Sequence, residues 1–518
     1  MLTLPLEPTD DRANPIFKDA AGCALWLNQL QLTNLQQAHG RLLTQINELN
    51  RYPMRALERL GSLELLRETV GHVQDELAKK LIAKPLPLNK SELAVFMSVV
   101  QLWQAMVTGY QRGLQDYISG DKSLVVHGAL LCQRCLHYSG MMIFEYQRTG
   151  YEFGPGLWRQ LHELYAFAEQ QDLHQTEVTD PSCDRQTSCA GSYVRTLLAC
   201  YASPAQMTRW QVQQMDRWLS AWSNSVTVAH RYTLSRNDAQ PLAADLSGTQ
   251  GLQRAEGLPH NDTLRYLAMV PLSKLLRVKT ILLQQGQTPQ QVGLGDKQDR
   301  HACLELLTLL HQCWCENRPQ RSCERRQVSL HAALCHTPAV IYAQLTGQPF
   351  QQPDRNVAMP GHAKPGLQEL ENWQIKNESI MGACLIRDDL IGEGVRCKQL
   401  IAFRRNNAQS FILGAIVWTR VMTNGKLQMG VKYLPGKPEP VRIHTSGINP
   451  SKQVAPAFLL PALPSLNTPA SLIIPRDWFD AGRVIEVLHQ DGKVLIAHLG
   501  FSVERGLDYE RVSFTAKN

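Results

Sequence analysis

Phe411-Ile-Leu-Gly-Ala-Ile-Val-Trp-Thr-Arg-Val-Met-Thr-Asn424-Gly425-Lys-Leu-Gln-Met-Gly-Val-Lys-Tyr433 is the stretch that decides the character of the C-terminal half. β-Branched and aromatic residues stand on both sides of an Asn-Gly pair. Asn-Gly supplies the positive φ angles that a type I′ turn asks of both central residues, so the segment predicts a β-hairpin. On the N-terminal side, Val328-Ser-Leu-His-Ala-Ala-Leu334, Trp373-Gln-Ile-Lys-Asn377 and Gln399-Leu-Ile-Ala-Phe403 read as further strands. Gly382-Ala-Cys-Leu-Ile386 reads as the lead into a polar connection over 388–394. Short antiparallel strands with tight turns predict a small barrel across 318–440.

Downstream of Pro438, Pro450, Pro456, Pro461 and Pro464 mark a linker. Strands are then expected at 471–475, 483–499 and 511–514, the middle one turning at Asp491-Gly492. They form a second small β-module within 441–518, which carries no recognisable chemistry of its own.

Upstream, the period changes. From 28 to 317 apolar residues recur at three and four. Leu32, Leu35, Leu42, Leu43 and Ile46 share one helix face, and Leu57, Leu60, Leu63, Leu66, Val70 and Val73 share the next. Asn89, ahead of Lys-Ser-Glu, is an N-cap candidate. Further helices are expected at 93–117, 124–148, 156–170, 192–202, 204–229, 262–284 and 289–315. Polar loops are expected at 176–192 and 235–261, and a tail at 1–27. Trp158-x-x-Leu161-x-x-x-Tyr165 has the opening spacing of a tetratricopeptide helix but no second copy at a 34-residue period. The expected fold class is therefore α+β: an all-α N-terminal domain, solenoid or tetratricopeptide-like in its helix pairing, then the barrel and the second β-module.

Composition narrows the function. With 44% hydrophobic and 19% charged residues the chain is globular, and 518 residues exceed one ordinary core. A net charge of +7 favours an anionic ligand without the dense basic patches of a DNA-binding protein. No run of eighteen apolar residues predicts a transmembrane helix, and the N-terminus lacks the pattern of a secretory signal. Thirteen scattered cysteines read as reduced thiols of a cytoplasmic protein. Cys132-x-x-Cys135 has no partner CxxC at zinc-site distance, and Cys313 and Cys315 point to different helix faces, so no metal is expected. Phosphate loop, nucleophile-elbow and zinc-protease signatures are lacking, so the chain is read as a non-enzyme with no cofactor.

Two further pieces carry the candidate site. Arg321-Ser-Cys-Glu-Arg325-Arg326 offers planar guanidinium forks suited to phosphate oxygens and to the O6/N7 edge of guanine. Asn377-Glu-Ser379-Ile-Met-Gly382 alternates an amide and a hydroxyl on one strand face and ends on a glycine that permits close backbone approach. The pair, RxxxR followed by NxSxxG, resembles the cyclic di-GMP-binding signature of PilZ domains, as do Gly414-Ala-Ile-Val-Trp418 and Met429-Gly-Val431 in the hairpin. That resemblance implies a cyclic di-GMP receptor in which Arg321, Arg325 and Arg326 grip the phosphates and a guanine, while Asn377, Ser379 and Gly382 line the rest of the pocket. Because the arginine arm follows the last expected helix and precedes the barrel, binding at the junction of the helical and β halves is expected to be coupled to a protein partner of the helical domain. A PilZ-like scaffold that binds partners without nucleotide is the alternative. More than fifty residues separate Arg325 from Asn377, and an insertion over 347–366, rich in Pro, Gln and Gly, accounts for much of that gap.

Overall fold

The computed structural model describes the chain except for residues 1, 181–184, 233–240, 257, 259–260, 317–323, 351–369, 389–391, 446–453, 465–466 and 518. It divides into two compact units, residues 1–84 with 88–320 and residues 85–87 with 321–518. An N-terminal helical region followed by β-barrels gives the α+β class expected from the periodicities.

The first unit contains α1 (Ala20–Asn28), α2 (Leu35–Arg51), α3 (Ala56–Ala78), α4 (Lys90–Ile118), α5 (Gly128–Thr149), α6 (Gly156–Gln170), α7 (Cys189–Tyr201), α8 (Arg209–Trp222), α9 (Val270–Gln284) and α10 (Arg300–Cys315). Asn89 caps α4 in a reciprocal capping box with Glu92. Helices α3, α4 and α5 are tied through one carboxylate. Glu64 on α3 receives two 2.8 Å bonds from the fully buried Arg134 on α5 and one of 2.7 Å from Tyr110 on α4. By length and apolarity α4 could cross a membrane, yet just over half of its most apolar window is buried against neighbouring helices. Trp158, Leu161 and Tyr165 on α6 are buried core residues, with Tyr165 stacked on Tyr193 of α7.

Several expected boundaries move for local reasons. The segment 1–27 is no tail: Asp19 caps α1, and Phe17, Cys23 and Trp26 are buried. Leu57 is exposed on α3 rather than sharing its core face. Thr208 and Gln211 form a second capping box, so α8 starts well after Pro204 and ends before β3 (Thr227–Ala229). Gly293 and Gly295, both at positive φ, and the N-cap Asp299 delay α10 to Arg300. The remaining strands of this unit are β1 (Val178–Asp180) and β2 (Arg185–Thr187), which form a hairpin, and β4 (Leu242–Asp245), β5 (Gln253–Arg254) and β6 (Leu264–Ala268). Strands β3-β6-β4-β5 make a four-stranded sheet, so this unit is helical with a small sheet rather than all-α. The polar segments expected to be loops hide β1, β2, β4 and β5 because each is two to four residues long, while β6 takes the start of the helix expected over 262–284, so that α9 begins only at Val270.

The second unit holds two closed six-stranded barrels. The first is built from β7 (Arg326–His336), β8 (Glu371–Ser379), β9 (Gly382–Arg387), β10 (Leu400–Arg405), β11 (Ile412–Val421) and β12 (Leu427–Tyr433), in the order β10-β11-β12-β9-β8-β7. Between β7 and β8 lies an unexpected helix, α11 (Pro338–Thr346), ended by Gly347 at φ +74°. The second barrel contains β13 (Glu439–Thr445), β14 (Val454–Leu460), β15 (Ser471–Pro475), β16 (Val484–Leu488), β17 (Val494–Arg505) and β18 (Tyr509–Lys517). The proline-marked linker thus supplies two of its strands. Pro456 is tolerated because β15 pairs with β14 only from Phe458 onward, leaving Pro456 with a single strand neighbour, β13.

Trp373, Ile375, Leu385, Phe403, Leu427, Met429 and Val431 are buried in the first barrel, while Val441, Ile443, Leu472, Ile485, Val487 and Val512 pack together in the second. A shared core joins the two: Ile341 and Tyr342 of α11, Leu400 and Leu413 of the first barrel, and Phe458, Ile473 and Tyr509 of the second. The turn between β11 and β12 differs from the expected type I′ form. Gly425 alone has positive φ, at +80°, and its N–H bonds Met422 O at 2.9 Å, with Met422 N–H bonded to Lys426 O at 2.8 Å. Asn424 instead accepts from Lys426 N through its side chain at 3.1 Å, an Asx-type turn followed by a glycine bulge. Asp491-Gly492 repeats the arrangement, with Gly492 at φ +83° and Asp491 accepting from Lys493 N at 3.1 Å.

Candidate functional site

Strand pairing overcomes the long sequence gap. β7 and β8 are antiparallel neighbours, with Arg326 opposite Glu378 and Gln327 opposite Asn377, despite the residues that intervene in the sequence. Arg325, just before β7, donates from Nη1 to Asn377 Oδ1 at 2.8 Å. Residues directly opposite one another in adjacent strands point to the same face. Asn377 lies opposite Cys384, Cys384 opposite Gly430, and Gly430 opposite Trp418, so one row crosses β8, β9, β12 and β11 on the outside of the barrel. A second row runs beside it from Ser379 through Gly382 to Lys432.

Glycines bring backbone and rings close along these rows. A Cβ on Gly382 would lie 2.1 Å from Val431 O, so no side chain fits there without moving a strand. At Gly430 a Cβ would meet Trp418 Nε1 at 2.2 Å, which means that the indole lies over bare backbone. The guanidinium of Arg420 stands 5.4 Å from the centre of the Trp418 ring and bonds Gln428 Oε1 through Nε at 2.7 Å. Gln428 Nε2 then donates to Cys384 Sγ at 3.2 Å. Burial raises the Cys384 thiol above its ordinary value, opposed by the Gln428 bond and by the charges of Arg325, Arg420 and Lys376. Cations from three directions therefore converge on the middle of the row.

Glu378, between Asn377 and Ser379, turns to the opposite side. It pairs with Arg405 of β10 and accepts the hydroxyl of Tyr433 of β12. Burial and then the Glu378 carboxylate push the Tyr433 hydroxyl well above its usual range. These three groups close one end of the barrel and keep Asn377 and Ser379 facing outward.

Of the residues expected at the site, Arg325 and Asn377 are in direct contact, and Ser379 and Gly382 are adjacent, Ser379 Oγ donating to Gly382 O at 3.2 Å. Arg326 is exposed at the start of β7, and Arg321 lies outside the described residues. Trp418, Arg420, Gln428 and Cys384 were not among the expected site residues. For all but Cys384 the signal was present in the hairpin sequence, where Trp418 and Gly430 were visible as motif positions, but only the strand register shows that Trp418 and Cys384 continue the row from Asn377.

The class defined by this fold is a helical domain followed in sequence by tandem six-stranded antiparallel barrels. Residues 21–231 match the family described as cyclic-di-GMP receptor FimW, N-terminal domain, and residues 441–516 match the FimW C-terminal β-barrel domain. The chain is 22% identical to the cyclic-di-GMP receptor FimW of Pseudomonas aeruginosa over an alignment covering 93% of this chain and 88% of that protein. The first barrel, with the rows described above, falls between the two matched stretches and inside the longer alignment.

Proposed function

We propose that this chain is a non-enzymatic receptor for cyclic di-GMP and that the nucleotide binds on the outer face of the first barrel, in the manner of a PilZ domain. The observation that carries the reading is the 2.8 Å bond from Arg325 to Asn377, which joins the arginine arm to the NxSxxG strand. The name of the Pseudomonas aeruginosa relative, aligned over most of the chain, supports the same ligand. Cyclic di-GMP presents two phosphodiester charges and two guanines. Arg325 and Arg326, with Arg321, supply the fixed cations, and Asn377 and Ser379 supply hydrogen bonds to a base edge. Gly382 lies beside Ser379 in the same row, and the Trp418 ring with Arg420 offers a flat surface for stacking. The protein acts in the cytoplasm, and binding at the arm is coupled to a protein partner of the helical unit.

Calorimetric titration of the full chain tests the ligand. Each charge-assisted bond to phosphate is worth about 1.5–3 kcal/mol, so Arg325→Ala weakens binding by about one to two orders of magnitude, and Ser379→Ala weakens it less. Circular dichroism shows both variants folded. An unresponsive wild-type protein sinks the receptor reading and leaves a nucleotide-independent scaffold.

A further inference from the structure

The helical unit contains a second cationic site, remote in sequence from the barrel residues. A cavity of about 470 Å3 is lined by Leu6, Arg55, Arg59, Arg112, Gln115 and Asp116, among others. Three arginines are in its lining: Arg55 and Arg59 at the start of α3, and Arg112 near the end of α4. Arg59 is only 3% exposed. Two of its N–H groups cap the end of α2, bonding Leu49 O at 2.7 Å and Tyr52 O at 2.8 Å. Arg112 donates to Glu7 O at 2.7 Å and so holds the N-terminal segment at the rim. The Nε–H groups of both Arg59 and Arg112 are buried with no hydrogen-bond partner among the described residues.

Opposing negative charge is scarce. Asp116 is the single acid in the lining, and Glu7 acts on Arg112 from the exposed N-terminal segment. Burial and the neighbouring Arg112 charge push Arg59 down to about 10, with Asp116 only partly opposing them. Burial also raises Asp116, against the pull of Arg59 and Arg112. Cations held this close in low dielectric are stabilised by an anion that can accept from several N–H groups at once. The tetrahedral oxygens of a phosphate suit that requirement, and the volume exceeds what an inorganic ion fills, falling in the range of small-molecule sites.

We infer that this cavity is a binding site for a small phosphorylated molecule, separate from the outer face of the first barrel and independent of the function proposed for it. Arg112 and Arg55 make the contacts open to the ligand, while Arg59 stays committed to the α2 carbonyls and contributes its charge.

The experiment uses the full chain carrying Arg325→Ala, so that anion binding at the barrel is suppressed. Inorganic pyrophosphate and glucose 6-phosphate are titrated by calorimetry, with unphosphorylated glucose as the control. Saturable binding of both phosphates is expected, glucose giving none. Adding Arg112→Gln or Arg55→Ala is expected to weaken it at least tenfold. Arg55→Ala guards against misfolding, since Arg55 is exposed and makes no side-chain capping bond at α3. Binding unchanged in both arginine variants, or no saturable binding of either phosphate in the parent, overturns the inference. Pyrophosphate binding without glucose 6-phosphate overturns the organic ligand and reduces the cavity to a simple anion site.

Discussion

At the scale of single residues, Gly382 carries the most exacting requirement. It opens β9 and lies against the backbone of β12, where a methyl group would sit 2.1 Å from Val431 O. A backbone oxygen held in a strand pair cannot step aside as a flexible side chain can. Gly382→Ala is therefore expected to destabilise the second unit by about 1–3 kcal/mol, the usual penalty of overpacking, and to disturb the adjacent Ser379. Urea unfolding of the variant measures the first effect, and a stability equal to wild type would show that β9 and β12 can separate without cost. Arg325 and Asn377 teach a different lesson. Their types were readable as ligand-binding chemistry, but their contact was not, because the number of residues between two strands does not determine whether the strands are neighbours.

Among elements, the opposite end of the first barrel is closed by Glu371 on β8, which meets Arg387 of β9 at 2.7 Å and accepts from Trp373 Nε1 at 2.9 Å. His336 at the end of β7 lies 3.9 Å from the same carboxylate. Burial raises the Glu371 carboxyl, but the nearby His336, the bond from Trp373 and the Arg387 charge outweigh it and hold the group down to about 2. Because the folded value lies below the unfolded one, near 4.3, this contribution is fully present above the unfolded value. It fades as pH falls through about 4 towards 2. Stability measured against pH should thus fall on that acid limb, and Glu371→Gln should flatten it. A variant that keeps the same slope would assign the acid sensitivity to other carboxylates. Elements differed widely in how far the sequence revealed them. The β11–β12 hairpin was plain because alternation and Asn-Gly agree, although Asn424 uses its side chain rather than a positive φ to make the turn. Strands β13 and β14 were hidden by prolines that suggested a linker, and β4 and β5 by their shortness. Helix α11 was hidden by an apolar run too short to show a period.

The molecule as a whole consists of two units with separate cores, and that organisation followed from the change of hydrophobic period near Arg326 more readily than any single boundary within either unit. What periodicity could not give was closure: six short strands read one by one do not reveal which of them meet to complete a barrel. Units with their own cores can unfold in separate steps, and a ligand stabilises only the step that destroys its site. Scanning calorimetry of the full chain is accordingly expected to resolve two transitions. Cyclic di-GMP at a hundred times its dissociation constant should stabilise the unit that binds it by about 2.7 kcal/mol, raising one transition and leaving the other in place, and Arg325→Ala should abolish that rise. Pyrophosphate held in the arginine-lined cavity of the first unit should raise the other transition instead. Movement of both transitions together under cyclic di-GMP would mean that the helical unit gains stability from a nucleotide bound to the barrel. That outcome would be direct thermodynamic evidence for coupling between the units, whereas an unmoved helical transition would confine the effect of the nucleotide to the barrels.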